Sequence, residues 1–554
     1  MKGFFSPFAF FVIGLFFCTS LSGQNILGQG TITGNFQTDI QMSKLDSIIG
    51  APEVNEKLLM NSYANLLYTN NNLTVGVRFE SYLNPMLGYE SAYKGSGIPY
   101  RFATYKLDWL EVTAGNFYEQ FGNGLSLRTY EDKNLGIDNS LDGARVIVKP
   151  LKGIVLKGIV GTQRYYWDKG EGIVRGLDGD FHLNQFFSGW NDSKTQVMLG
   201  GSFVSKYQKD QNPIYILPEN VGIMAGRLNV SHGGLNISSE YANKINDPSM
   251  INNYIYKNGQ AMVINASYSQ SGFGLLLAAK HIDNMSFRSE RDASGNDLSI
   301  NYLPALTRQH TYSLSGMYPY ATQPNGEVGL LAELTYKFKK GSFLGGKYGT
   351  TLTLNYSRAN ELNKTKLNDT IAIGEAGTDG YSAKLFDFGK ELYFQDFNIE
   401  ITKRFSKQFK GVFSYVYIDY NEAVIEGHPS ESDPMINAHV GIADLAFTLP
   451  NRMGLRTEIQ HLYTKQDEGN WASILLEYTI APKWSFSICD QYNYGNEVSE
   501  KQVHYITAGM SFNHHSSRIT MAYGKQREGI ICVGGVCRHV PASNGLTLTV
   551  SSSF

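Results

Sequence analysis

Residues 503–554, VHYITAGMSFNHHSSRITMAYGKQREGIICVGGVCRHVPASNGLTLTVSSSF, decide the fold. They read as three strands joined by one tight turn and one long loop. From 503 to 513, His504, Ile506, Ala508, Met510 and Phe512 share one face, and Tyr505, Thr507, Gly509 and Ser511 the other. Asn513-His514-His515-Ser516 turns the chain. Ile519, Met521 and Tyr523 then alternate with Arg518, Thr520, Ala522 and Gly524. In the last strand Leu546, Leu548 and Val550 lie on the side of Phe554, with Thr547, Thr549 and Ser551 opposite. Side chains of a strand alternate between faces, so each strand offers one apolar and one small polar face. A soluble sandwich could make one such hairpin. Repetition along the whole chain, and an ending inside a strand on an aromatic residue, point to a barrel.

The same rhythm runs upstream. After Asn70-Asn71-Asn72, Leu73, Val75, Val77 and Phe79 alternate with Thr74, Gly76, Arg78 and Glu80. Asn- and Gly-rich turns between alternating runs are hairpin signals. Candidate strands include 100–108, 110–118, 141–149, 154–167, 177–187, 298–304 and 310–318. The count is about 26, in a range of roughly 22–26, and even, as bacterial single-chain barrels require. Parity places the tight turns 70–72, 271–272, 482–483 and 514–515 on one side, the periplasmic one. That agreement needs 298–304 as a separate strand. The expected fold is all-β: a transmembrane antiparallel β-barrel. No fixed repeat suggests a solenoid. No Pro/Gly-rich boundaries suggest a string of sandwich domains, and no helical period is long enough to cover a sheet.

Composition agrees. The chain has 554 residues, with 35 Tyr, 31 Phe and 57 Gly. Its formal net charge of -2 gives no reason to expect nucleic acid as a partner. Mean hydropathy is -0.25, moderate as befits strands with one face toward a polar interior. Residues 1–23 read as a secretory signal, with Lys2, an apolar run at 8–17 and small residues Ser20, Ser22 and Gly23. The barrel then occupies 24–554. Cys18 follows Phe16 and Phe17, which does not suit a lipoprotein signal. Cys532 and Cys537 bracket Val533-Gly534-Gly535-Val536, a plausible reverse turn, and an exported protein can keep a disulfide there. That turn should lie on the cell surface, displaying Arg538 and His539. Cys489 reads as a small residue on a strand face.

Phe117-Tyr118-Glu119-Gln120-Phe121-Gly122-Asn123-Gly124, Asp142-Gly143-Ala144-Arg145 and Cys532-Val533-Gly534-Gly535-Val536-Cys537-Arg538 resemble a family of uncharacterised outer-membrane proteins of Bacteroidota, as does the final strand ending on Phe554. The resemblance covers the whole mature chain. It implies an integral outer-membrane barrel and no established activity.

Polar residues concentrate between 119 and 145: Glu119, Arg128, Glu131, Asp132, Asp138, Asp142 and Arg145, with Arg164 and Arg175 beyond. On an inward face or inward-folded loop, such mixed charges would constrict a pore or contact a ligand. The alternative is a hydrogen-bonded network that holds a wide barrel in shape. No phosphate loop or zinc spacing is present, and no catalytic set is found. No metal or cofactor is expected. Residues 24–30 are too short for a plug domain, so closure would come from loops at 83–99, 121–140, 284–297 and 360–391. Expected partners are outer-membrane lipid, the barrel-assembly machinery and proteins of an envelope complex. The first functional expectation is a porin-like or solute-contacting channel. The second is an accessory barrel closed by its own loops.

Overall fold

The computed structural model describes residues 30–427 and 435–554. Among them, 24 strands form one antiparallel sheet, from Thr31–Ser43 to Ser543–Ser553. The first strand pairs with the last, Asp39 opposite Thr549 and Ile40 opposite Leu548. The sheet is therefore a closed barrel with no free edge. No helix of the described residues is long and apolar enough to cross a membrane.

Residues opposite each other in an antiparallel pair share a face. Leu548 lies between Ile40 and Met521, and Leu546 between Met42 and Tyr523. Met521 and Tyr523 are 40% and 56% exposed, so this face is the outer one. Thr549 lies between Asp39 and Thr520, and its hydroxyl donates to the Asp39 carboxylate at 2.7 Å inside the barrel.

One end of the barrel carries short turns, such as those between Leu59–Asn70 and Leu73–Asn84 and between His504–His514 and Ser517–Gln526. Phe554 lies at this turn end, its N–H donating to the Gly34 carbonyl. The loop end carries the long connections. Outer-face rings mark both ends. Trp484 and Phe512 (4.5 Å) and Phe409 and Phe447 (4.6 Å) gather at the turn end. Tyr492 stacks on His504 (3.9 Å), and the Tyr415 hydroxyl meets His439, at the loop end. Leu445, Ala443 and Gly441 lie between Phe447 and His439 on Met435–Leu449. That run is about 26 Å along the strand at ~3.3 Å per residue.

Two expected strands, 298–304 and 310–318, are not in the wall. They belong to 284–326, which turns inward between Phe273–Asp283 and Glu327–Phe338. Their apolar residues Ile300, Leu303 and Leu314 are buried against the inner wall, a pattern that sequence periodicity cannot tell from a strand face. Losing two strands keeps the parity, so the tight turns share one end without a short extra strand. The strand expected at 177–187 is Asp168–His182, because its Gly170 and Gly172 start carries no apolar alternation. The signal segment 1–23 and residues 24–29 lie outside the described residues.

Apolar burial on the inner face is concentrated toward the loop end. In Met435–Leu449, Ile436, Ala438, Val440 and Ile442 are buried, whereas Ala446 and Thr448 are exposed. The lumen is thus filled at the loop end and open toward the turn end.

Candidate functional site

Most of the filling at the loop end comes from the connections 85–94, 118–140, 284–326 and 527–542, and Ile49 and Ala51 of 44–58 join its buried cluster. In 118–140, Gly122 and Gly124 take φ of 53° and 94°, which favours glycine. A Cβ at Gly122 would strike the Glu240 carboxylate. Glu240, from the wall strand Leu235–Lys244, is fully buried and accepts the Asn123 N–H at 2.6 Å. Phe121, Leu125 and Leu127 then pack on wall residues Val204 and Ile223.

Segment 284–326 crosses the interior. Met285, Phe287 and Ile300 join the same wall cluster. The Arg128 N–H donates to the Ile300 carbonyl (2.8 Å), and the Tyr302 N–H to that of Gly124 (2.9 Å). Arg308 then pairs with Glu400 (2.8 Å), His310 with Asp396 (2.6 Å), and the Tyr312 hydroxyl donates to Asp444 (3.2 Å). Leu314, Tyr318 and Tyr320 pack on Phe394, Ile418, Tyr420 and Trp471 of the far wall.

The strands Gly529–Val533 and Val536–Val540 form a hairpin joined by the Cys532–Cys537 disulfide. Its tip, Gly534-Gly535, has φ of 60° and 90°. The Gly534 carbonyl accepts from the Tyr302 hydroxyl (2.6 Å) and the Ala305 N–H (3.2 Å), and that of Gly535 from the Thr322 N–H (3.0 Å). The Asn296 amide donates to the Cys537 carbonyl at 2.8 Å. This hairpin joins strands 23 and 24 of the ring, whereas 284–326 joins strands 13 and 14, so the two meet nearly across a diameter. The hairpin is not displayed at the surface as the sequence led one to expect. The hairpin folds inward, Arg538 lies over Tyr89 (4.5 Å) and donates to the Gly88 carbonyl (3.1 Å), and His539 alone of the two is exposed.

An ion-pair clamp anchors 118–140. Arg78 and Glu80 come from Leu73–Asn84, and Arg164 from Ile154–Tyr165. Arg164 reaches Glu80 (2.7 Å) and Asp138 (2.6 Å). Arg78 reaches Glu80 (2.6 Å), Glu131 (2.9 Å) and Asp138. Burial pushes the Asp138 carboxyl up, but Arg164 and Arg78 outweigh it and hold it below the usual range. Burial holds Glu131 above that range. Glu80, Glu131 and Asp138 are close enough together to hold a cation, but two guanidiniums already bind them, which fits a clamp better than a metal centre. A second anchor joins Asp247 to Lys206 (2.6 Å) and to Arg291 of the crossing segment (3.1 Å).

The charges singled out in the sequence thus divide. Glu131, Asp138 and Arg164 meet in the clamp. Glu119 pairs with Lys157 (2.8 Å) and Arg145 (3.3 Å) on the inner wall, and Arg128 lies over the Tyr302 ring at 3.9 Å. Asp142 departs from the expectation. It pairs with Arg101 (3.3 Å) and Lys169 (2.6 Å), both about half exposed, on the outer face near the loop end. Strand register sets this, since Gly143 and Arg145 take the inward positions. Arg175 is likewise exposed on a wall strand, bonded to Asn220. Cys489 lies in the wall between Leu475 and Thr507 and is a free thiol. Glu240, Asp247 and Arg291 were not singled out, and their spacing in sequence carries no signal.

The family of unknown function (DUF6029) is matched over residues 4–554. No curated protein matches the chain. Among solved structures, the translocation pore of the P pilus usher PapC is similar over 94% of this chain and 99% of that one, at 8% identity and a TM-score of 0.46. The siderophore receptor PirA from Pseudomonas aeruginosa is similar over 94% and 80%, at 9% identity and 0.40. The copper transporter OprC is similar over 95% and 83%, at 8% identity and 0.39. Likenesses at this level carry no argument about what this chain does.

Proposed function

The chain belongs to the family of unknown function DUF6029, and from that premise we propose that it is an integral outer-membrane barrel held shut by its own loops. The observation that carries the proposal is the meeting of the Cys532–Cys537 hairpin with segment 284–326 across the lumen. Closure of the sheet and the apolar outer band between two aromatic rims support a place in lipid, because only closed barrels and helices satisfy every backbone group there. The turn end would then face the periplasm and the loop end the outside. Insertion would need the barrel-assembly machinery. The half-open lumen would face the periplasm, where proteins of an envelope complex could engage it. No catalytic role is part of this proposal.

A gated, porin-like channel is the second reading. It draws on the polar character of the latches, since hydrogen bonds exchange with water at little net cost. Single-channel recording of the purified protein in planar bilayers tests both. The closed barrel should give no steady current. Stable ohmic steps from the unmodified protein would overturn closure and favour the channel.

A further inference from the structure

A cavity of about 410 Å³ opens among the loop-end connections, between 85–94, the tips at 135–139 and 165–166, 295–298 and the base of the disulfide hairpin. That is the size of a small-ligand cleft. Its aromatic wall is continuous: Tyr93 and Tyr166 rings meet at 4.8 Å, Tyr165 and Tyr166 at 4.7 Å, and Tyr89 and Tyr93 at 6.4 Å. Glu90 and His539 are exposed at its mouth, so it communicates with the outside of the loop end.

The polar groups around it are not all satisfied. The Arg538 guanidinium lines the cavity and commits one Nη to the Gly88 carbonyl at 3.1 Å, leaving donor capacity on the other. The Asp297 carboxylate receives the Tyr166 hydroxyl at 3.0 Å and has acceptor capacity left. Charge is nearly balanced. Asp138 is neutralised by Arg164, His539 pairs with Glu528, and Arg538 stands against Glu90 and Asp297. A strongly anionic ligand would meet these carboxylates, and a strongly cationic one would meet Arg538.

We propose that this cavity binds an uncharged sugar unit presented from outside the cell. The weakly positive C–H face of a pyranose suits the negative faces of the tyrosine rings. Its hydroxyls can donate to Glu90 and Asp297 and accept from Arg538. The end of a free polysaccharide and that of a glycolipid share this chemistry, a neutral pyranose. The site does not require the plug to move, so binding and conductance are independent measurements.

The test uses the purified full chain in a zwitterionic detergent, which carries no sugar headgroup. Calorimetric titration is run with maltohexaose, cellohexaose, xylohexaose and mannohexaose. Vesicles bearing a neutral glycolipid form a separate arm, against bare vesicles, to distinguish the sources. Binding of at least one neutral probe is expected. Glu90→Gln and Tyr165→Ala should each weaken it roughly tenfold, with Lys152→Ala at the turn end unchanged. Heat-modifiability on gels verifies that each variant is folded. No binding by any neutral probe, or equal binding by the wild type and both pocket variants, would overturn the proposal. So would preference for a heparin fragment or a lysine peptide.

Discussion

Leu548 and Thr549 are neighbours in sequence and face opposite media. Leu548 sits with Ile40 and Met521 on the outer band, where a cation near the midplane of lipid costs roughly 2–4 kcal/mol. Leu548→Arg should fail to give the heat-modifiable form, and Thr549→Arg, beside Asp39, should assemble. Equal assembly of the two would remove the face assignment. A second residue-scale expectation concerns acid. A carboxyl held low in the folded state stabilises it above the ordinary value of about 3.9 and loses that contribution as pH falls through its own lower value. Asp138 and Asp247 are both held low, each because neighbouring cations outweigh burial. Glu131, held high, has the opposite sign. The plug should therefore stay docked at pH 5 and loosen below about pH 4. Fluorescence from Trp167, whose Nε1–H donates to the Tyr93 carbonyl at 2.7 Å, should report it, and equal loosening at pH 5 would contradict it. At this scale the sequence showed which residues were charged and close in the chain, as with Glu119 and Arg145. It could not show that Glu80 and Arg164, far apart in the chain, would share Asp138.

Among elements, the disulfide hairpin and the crossing segment hold each other. Gly535 has a φ of 90°, and a Cβ there would crowd Thr322 and Ala305. Gly535→Val should unlatch the tip at a local cost of about 1–3 kcal/mol, leaving the wall strands paired. The variant is expected to remain heat-modifiable and to show intermittent current steps. A variant as silent as the wild type would mean that the other anchors suffice for closure. The wall strands were legible because each alternates with period two and ends in Asn or Gly turns. Segment 284–326 was not. Its apolar residues face a protein wall instead of lipid, and both environments select the same side chains.

For the molecule as a whole, the two ends predict a labelling pattern. Ile216 is 87% exposed in a loop-end connection, and Phe343 is 98% exposed in a turn-end one. On intact cells a membrane-impermeant maleimide should reach Ile216→Cys and miss Phe343→Cys, and the reverse would invert the topology. Closure and parity could be read from the chain because a ring of antiparallel strands admits only an even count here. The filled lumen could not, since it depends on several separated connections meeting. One of them has a particular place in the ring. The hairpin at 529–540 immediately precedes Ser543–Ser553, the strand that pairs with Thr31–Ser43 and seals the ring. It lies beside that seam, yet it docks on a segment more than two hundred residues earlier in the chain. The stretch that completes the wall is therefore tied to the stretch that crosses the interior, so the seam and the filling brace each other.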